Sequence, residues 1–279
     1  MIFMSELFFE KINKASRDYP YLDFERENLT YVFHFHEEIE IIKVLSGIIN
    51  VICDNRKITA EEGDICFFLP GEIHSFHSNE SLSSVIKLNC KNLIENIDFH
   101  SLKATDNLLK KEDSLNLLID GFLEEIKKED SDRKKGFGYA VNSISNKIVC
   151  EMLRSGRLIK SDSEYKKRHV FYISVFEKVS EFTENNYKEK VSLEDAAKSC
   201  NLSKYYFSHI FKEVTGMGFI EFLTAYRVER AAEELKHTDR KVTDIAFNCG
   251  FASLRSLNRT FKSRYGVNPL TYRKMFFKD

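Results

Sequence analysis

The stretch Asp244-Ile245-Ala246-Phe247-Asn248-Cys249-Gly250-Phe251-Ala252-Ser253, followed by Leu257, Phe261-Lys262 and Gly266, decides how the carboxy-terminal half of this chain folds. Its spacing has already occurred once. Asp195, Ala197 and Cys200 recur 49 residues later as Asp244, Ala246 and Cys249, while Phe207, Phe211, Lys212 and Gly216 recur 50 residues later as Leu257, Phe261, Lys262 and Gly266. A repeat of this period is one supersecondary unit used twice. Each unit reads as a short amphipathic helix, a tight turn, a serine and a longer helix: Leu193 to Cys200, then Ser203; Val242 to Cys249, then Gly250 and Ser253. A serine hydroxyl accepts from an unpaired amide at a helix start, and Gly250 supplies the positive φ of a tight turn. Both units are therefore helix-turn-helix candidates.

In such a motif the second helix enters the major groove and its outward residues reach base edges. With Phe207, Ile210 and Phe211 as the buried stripe, the first unit turns Lys204, Tyr205, Ser208, His209 and Lys212 outward. With Leu257 and Phe261 buried, the second presents Leu254, Arg255, Ser256, Asn258, Arg259 and Lys262. Arg255 and Arg259 suit bidentate pairing with guanine, and Asn258 with adenine. Between the units, Gly218 to Leu235 reads as a helix of about 27 Å, close to the ~34 Å that separates successive major grooves on one face of a duplex.

Charge distribution agrees. The formal net charge of the 279 residues is −1, but residues 171–279 carry 18 Lys or Arg against 14 Asp or Glu, whereas residues 1–170 carry 24 against 29. Within 251–279 the count is seven basic to one acidic, a concentration suited to phosphate. A helical bundle with a basic face explains one such motif; a duplicated motif favours DNA.

Working outward, Asp244 to Phe251 with Phe261-Lys262, Gly266, Pro269 and Tyr272-Arg273 resembles the signature of the AraC/XylS family of transcription regulators, over about Val191 to Arg273. The resemblance implies a two-headed DNA-binding domain joined by a long helix, double-stranded promoter DNA and RNA polymerase as partners, and activation rather than repression. One departure is that Gly218-Phe219 stands where the family has Ser/Thr-Pro. That predicts a looser start to the connecting helix.

The amino-terminal part reads differently. From about Leu29 to Asn89 short alternating stretches, Tyr31 to His36, Ile39 to Leu45, Ile48 to Ile52 and Asp64 to Leu69, are punctuated by Gly47, Asp54-Asn55, Gly63 and Pro70-Gly71. Many short strands at close spacing favour a barrel or sandwich. His34, His36 and Glu40 stand at i, i+2 and i+6, one face of an extended strand, and His74 follows later. His34 to Gly47 and Gly63 to His74 resemble the two cupin motifs, which implies a cupin-like β-barrel over about residues 25–95. Three imidazoles and a carboxylate suit a divalent transition metal. They equally suit a pocket for a hydroxylated effector, or hydrogen bonding within the barrel. The family resemblance implies a sugar or related metabolite as effector, with no catalysis and no required cofactor.

Beyond the barrel, Leu108, Leu115, Leu118, Phe122 and Ile126 share one helical face, and Val141, Ile144, Ile148 and Met152 form a narrow seam. A narrow seam suits a helix pair between the subunits of a homodimer, or a helix that caps its own barrel. Gly156 to Arg168, charged and serine-rich, reads as a linker. The expected fold is α+β in two domains: residues 1–160 a cupin-like effector-binding and dimerisation barrel with trailing helices, 161–168 the linker, and 169–279 an all-α double helix-turn-helix domain.

Six scattered cysteines without a Cys-x-x-Cys pair suggest neither a zinc knuckle nor a disulfide scaffold. No apolar run approaches the roughly 20 residues of a bilayer span, and Met1 to Glu10 carries two acidic residues where a signal peptide has basic ones. A cytoplasmic protein with no membrane partner is expected. Two other classes remain open: a metal-dependent cupin enzyme or metal sensor fused to DNA-binding helices, and a structural interaction protein with no salt-dependent DNA affinity.

Overall fold

The computed structural model describes residues 20–53, 56–78 and 80–276; Met1 to Glu10 and the turn expected at Asp54-Asn55 lie outside them. The chain divides into two compact units, at Ile173 and Ser174. The first is strand-rich with trailing helices and the second is helical, the α+β class expected.

In the first unit the strands are β1 (Tyr21–Glu27), β2 (Tyr31–His34), β3 (Glu38–Cys53), β4 (Arg56–Glu61), β5 (Ile65–Phe68), β6 (His74–His77), β7 (Ser81–Asn89), β8 (Leu102–Ala104), β9 (Leu108–Leu109) and β10 (Leu158–Lys160). Strand β3 organises them. Its first half lies between β7 and β5, and its second half between β4 and β6, so one strand serves both walls. The sequence reading broke this 16-residue strand into two at Gly47. The chain instead continues through Gly47, which pairs with Ser81, and a bulge falls just before it, with register slipping between Val44 and Ser46. Gly47 has φ +77°, and a Cβ there would run into the carbonyl of Glu80. Glycine here lets two backbones approach rather than reversing the chain.

Side chains alternate across these strands. Ile39, Ile41, Phe67, Ile86 and Leu88 face one core, while Ile42, Val44, Cys66, Phe68 and Val85 face another inside the barrel. The outward core is covered by α1 (Ser114–Asp132) and α2 (Phe137–Arg154). The buried stripe of α1 is Leu115, Ile119, Leu123 and Ile126. The expected face was displaced from it: Leu108 belongs to β9 and Leu118 is 49% exposed. Spacings of four, four and three keep Leu115 to Ile126 over the sheet.

The seam residues Val141, Ile144, Ile148 and Met152 are buried in the same core as Ile39, Ile41 and Phe67. They cap their own barrel, so the expectation that they form a subunit interface is corrected: their apolar surface is already covered within the chain. The expected linker is also corrected. Residues 158–160 pair with β8, and α3 (Ser163–Asn186) is helical from Ser163 onward. Its first turn has partners in the strand-rich unit, Lys166 Nζ lying 2.5 Å from Asp98 Oδ2 and the Tyr165 ring 5.1 Å from Lys103 Nζ.

The second unit holds the rest of α3 with α4 (Leu193–Ser199), α5 (Lys204–Thr215), α6 (Phe219–His237), α7 (Val242–Asn248), α8 (Leu254–Tyr265) and α9 (Pro269–Phe276). Two small cores flank α6. Phe176, Phe207, Phe211, Phe219 and Phe222 pack ring against ring on one side. Val228, Ala231, Leu235, Ile245, Leu257, Phe261 and Tyr272 form the other. Helix α6 thus carries one helix-turn-helix unit at each end. Among the described residues no helix is long and apolar enough to cross a membrane.

Candidate nucleic-acid interface and effector site

The two helix-turn-helix units are built by the same local devices. In the first, Ser203 Oγ accepts from the Tyr206 amide at 3.3 Å; in the second, Ser253 Oγ accepts from the Ser256 amide at 3.2 Å. The first unit adds a reciprocal cap, with Ser192 Oγ accepting from the Asp195 amide and Asp195 accepting from the Ser192 amide. At the turns, Asn201 with φ +58° and Gly250 with φ +78° occupy equivalent places. A Cβ at Gly250 would strike the Tyr187 carbonyl and lie 2.8 Å from Arg227 Nε. Arg227 fixes that carbonyl by donating to it at 2.7 Å, and donates also to the Glu189 carbonyl. The starts of α6 and α9 differ in their caps. Gly218 caps α6 with no side-chain bond, whereas its counterpart Asn268 accepts from the Thr271 amide at 2.9 Å ahead of Pro269.

These devices set which faces look outward. Lys204, Tyr205, His209 and Lys212 on α5, and Arg255, Asn258, Arg259 and Lys262 on α8, are exposed, with Ser208, Leu254 and Ser256 half-buried beside them. Tyr205 is 85% exposed. His209 lies 3.8 Å from Glu213. Among the described residues Lys204, Lys212, Arg255, Arg259 and Lys262 enter no ion pair, unlike Arg264, which is spent on the buried Glu229 together with the Tyr265 hydroxyl. Cations without protein partners on the two outward helices suit phosphates and base edges.

In the barrel, His34, His36, Glu40 and His74 converge, all buried, with one potential ligand atom from each lying within 4.8 Å of the others. The route differs from the single strand that the spacing suggested. His34 ends β2, His36 lies in the break before β3, and Glu40 belongs to β3. Strand pairing completes the set: His34 stands opposite His74, and Glu40 is flanked by Lys87 and Phe68. His36 Nε2 and His74 Nε2 lie 3.3 and 2.9 Å from Glu40 Oε2, and Lys87 Nζ lies 3.2 Å from Oε1. Each ring turns Nδ1 to a backbone carbonyl two residues away, His34 to Val32 at 2.9 Å, His36 to Glu38 at 3.0 Å and His74 to Glu72 at 2.7 Å.

Electrostatics follow from burial. Burial, reinforced by the His74 and Lys87 charges, holds His34 well below the usual imidazole range. Burial also lowers His74, against the raising effect of Glu40. Burial would push the Glu40 carboxyl up, but the Lys87 charge and the hydrogen bonds from His36 and His74 outweigh it and hold it well below the usual range. The donor set, three imidazoles and one carboxylate, fits a divalent transition ion.

Among the aromatic side chains around the cluster, Phe68 stacks on His74 at 4.2 Å, and Phe76 and Tyr31 lie against His34. Phe67 faces the opposite core. Beside the cluster a small cleft is lined by Tyr21, Asp23, Arg26, Leu29, Tyr31, His34, Glu40, Val85 and Lys87. The sequence reading missed Lys87, Arg26 and Asp23. The available signal was a lysine at an inward position between Val85, Ile86 and Leu88.

Residues 21–113 match the family described as AraC-like ligand binding domain, and residues 196–275 match a helix-turn-helix domain. The chain is 34% identical over 111 residues to the TetD protein of transposon Tn10 from Escherichia coli, covering 40% of this chain and 80% of that protein. It is 31% identical over 110 residues to the HTH-type transcriptional activator AarP of Providencia stuartii, covering 39% and 82%. In structure it is similar to unsaturated fatty acid bound wild-type ToxT from Vibrio cholerae strain SCE256, with a TM-score of 0.51 at 18% identity over 92% of this chain and 95% of that one.

Proposed function

The chain belongs to the AraC/XylS family of transcription regulators, with an amino-terminal ligand-binding domain and a DNA-binding helix-turn-helix domain, and from that premise we propose that it is a promoter activator gated by a small polar metabolite bound in the barrel. It is a regulator rather than an enzyme. The observation that carries the effector reading is the cleft beside Glu40, whose charged side chains are already matched within the protein. Glu40 pairs with Lys87, and Arg26 lies 3.6 Å from Asp23. Such a wall has no net charge to neutralise but many donors and acceptors, the chemistry that holds the hydroxyls of a sugar or related metabolite. The fatty acid bound by ToxT is a different chemistry: a long acyl chain gains little from a cleft lined by paired ions.

The effector shifts the regulator only by its difference in affinity between arrangements that bind DNA well and poorly. A homodimer, recruitment of RNA polymerase and a cytoplasmic location belong to the same reading. The test is operator affinity of the full chain, measured on its own upstream DNA at fixed salt with and without a panel of sugars and sugar acids. One compound that changes the affinity at least tenfold supports the proposal. DNA affinity insensitive to every polar metabolite, together with a response to a long-chain fatty acid, overturns the effector class.

A further inference from the structure

We propose that Glu229 of α6 is a positioning residue for base reading: by fastening the last turn of α8 through Arg264 and Tyr265, it sets the angle at which Arg255 and Arg259 meet the bases. The proposal rests on the reading of α8 as a base-reading helix.

The two outward helices are held by different means. Helix α5 buries Phe207, Ile210, Phe211, Val214 and Thr215, and its phenylalanines pack against Phe176, Phe219 and Phe222. Helix α8, of the same length, fully buries only Leu257 and Phe261. Apolar contact has no direction, and so narrow a stripe leaves the helix free to rock about its line of packing. A buried carboxylate supplies the missing constraint. Glu229 is 7% exposed; one of its oxygens accepts from Arg264 Nε and the other from the Tyr265 hydroxyl at 2.6 Å. Charge-assisted hydrogen bonds at both oxygens fix direction as well as distance. The Tyr265 ring lies 4.7 Å from Phe261 and 4.8 Å from Tyr272, so the same side chain ties α8 to α9. Burial and the Glu229 charge hold the phenol well above its usual range, which keeps the hydroxyl a donor.

The other half of the repeat does without this lock. At the offset of 50 residues, Val214 and Thr215 stand in α5 where Arg264 and Tyr265 stand in α8. Thr215 spends its hydroxyl on its own helix, donating to the Phe211 carbonyl at 2.7 Å. Apolar residues therefore satisfy the fold at this place, and a buried ion pair adds little stability over them. What the lock adds is orientation. Arg255 stands nine positions before Arg264, about 13 Å along the helix, so a rock of roughly 10° about the lock moves it by about 2 Å. A hydrogen-bonded pair with a guanine edge tolerates only about 0.5 Å.

The experiment is operator discrimination by the full chain, read by fluorescence anisotropy at fixed salt. Three duplexes are compared: its upstream operator, one altered at the base pair that Arg259 reads, and one altered in the other half. The first position is located as the base pair whose change weakens wild type but not Arg259→Ala. Wild type is expected to discriminate against each altered duplex by about tenfold or more. Glu229→Gln should reduce the first ratio to about threefold or less, and leave the second ratio and the affinity for random DNA within about twofold. Because Glu229→Gln strands the Arg264 charge, the triple variant Glu229→Met, Arg264→Met, Tyr265→Phe replaces the whole lock by apolar groups. With its fold checked by circular dichroism, it should lose the first ratio alone. Unchanged discrimination at both positions in the folded triple variant makes the lock dispensable for reading and overturns the proposal. Equal loss at both makes it a general support of the domain and overturns the proposal as well. If Arg259→Ala loses no discrimination at any base pair, base reading by α8 fails and the proposal falls with it; loss with Arg259→Ala but none with the triple variant overturns the lock alone.

Discussion

Lys87 Nζ lies 3.2 Å from Glu40 Oε1, and the two residues are direct cross-strand partners of β7 and β3, each 2% exposed. Their register is set by the outward residues on either side, since Ile39, Ile41, Ile86 and Leu88 must all reach the core beneath α1 and α2. A one-residue slip would exchange the ion pair with that core. Removing one partner of a buried pair leaves an uncompensated charge and costs about 3–5 kcal/mol, whereas replacing both costs far less. Lys87→Met should therefore lower the urea-denaturation midpoint of chelator-treated protein sharply. The double variant Lys87→Met, Glu40→Gln should recover most of the loss, as read by circular dichroism.

The DNA face separates into residues that read bases and residues that hold phosphates. Arg255→Ala and Arg259→Ala should each cost about 1–3 kcal/mol in operator affinity and relax preference at one base position. Lys262→Ala should weaken binding to operator and random DNA alike, and reduce the salt slope by about one. Fluorescence anisotropy with labelled duplexes over a salt series checks both. Equal loss on random DNA for the arginine variants would show that they contact only backbone.

Gly250 and Asn201 perform the same turn in surroundings that differ. At Gly250 a side chain would strike the Tyr187 carbonyl that Arg227 holds, on top of the strain of φ +78°. Gly250→Ala should destabilise the second unit by about 2–4 kcal/mol, combining left-handed strain with overpacking. Asn201→Gly should change stability by less than about 1 kcal/mol. Hydrogen exchange of the amides in α7 and α8 measures the first effect.

The legible parts were those determined by neighbours in sequence. The repeat, the capping serines at 203 and 253, the buried stripe Phe207, Ile210 and Phe211, and the outward faces of α5 and α8 follow from spacing along one helix. The parts that failed depend on distant segments. Gly47 looks like a turn unless the approach of Glu80 is known. The face of α1 was displaced because Leu118 and Phe122 differ from Ile119 and Leu123 only by which pair meets the sheet. Lys87 sits in an apolar strand whose inward partner lies 47 positions earlier, at Glu40. His34, His36, Glu40 and His74 were legible as a set, although the break after His34 that brings them together was not.

The seam on α2 gives a test of where that helix belongs. Ile148 is fully buried among barrel residues, and Ile→Ala at such a site costs about 2–5 kcal/mol. Ile148→Ala should lower the thermal midpoint of the first unit, by an amount that does not depend on protein concentration. A midpoint loss that grew on dilution would mean that the seam is shared between chains.

Asp64 supplies the expected acid sensitivity. Its carboxylate accepts from the Glu61 amide at 3.0 Å, from Lys110 Nζ at 2.8 Å and from the Lys111 amide at 3.1 Å, tying the β4–β5 turn to the segment before α1. Burial would raise its carboxyl, but these three bonds outweigh burial and hold it below the usual range. A depressed folded value means stability that is present above the unfolded value, near 3.9, and is lost as pH falls through the folded one. Asp64→Asn should lower stability at neutral pH, where the charge-assisted bond to Lys110 is lost. It should also flatten the dependence on acid below about pH 4, because the neutral amide releases nothing to titrate. Parallel loss of stability in wild type and variant throughout the acid range would place the sensitive group elsewhere.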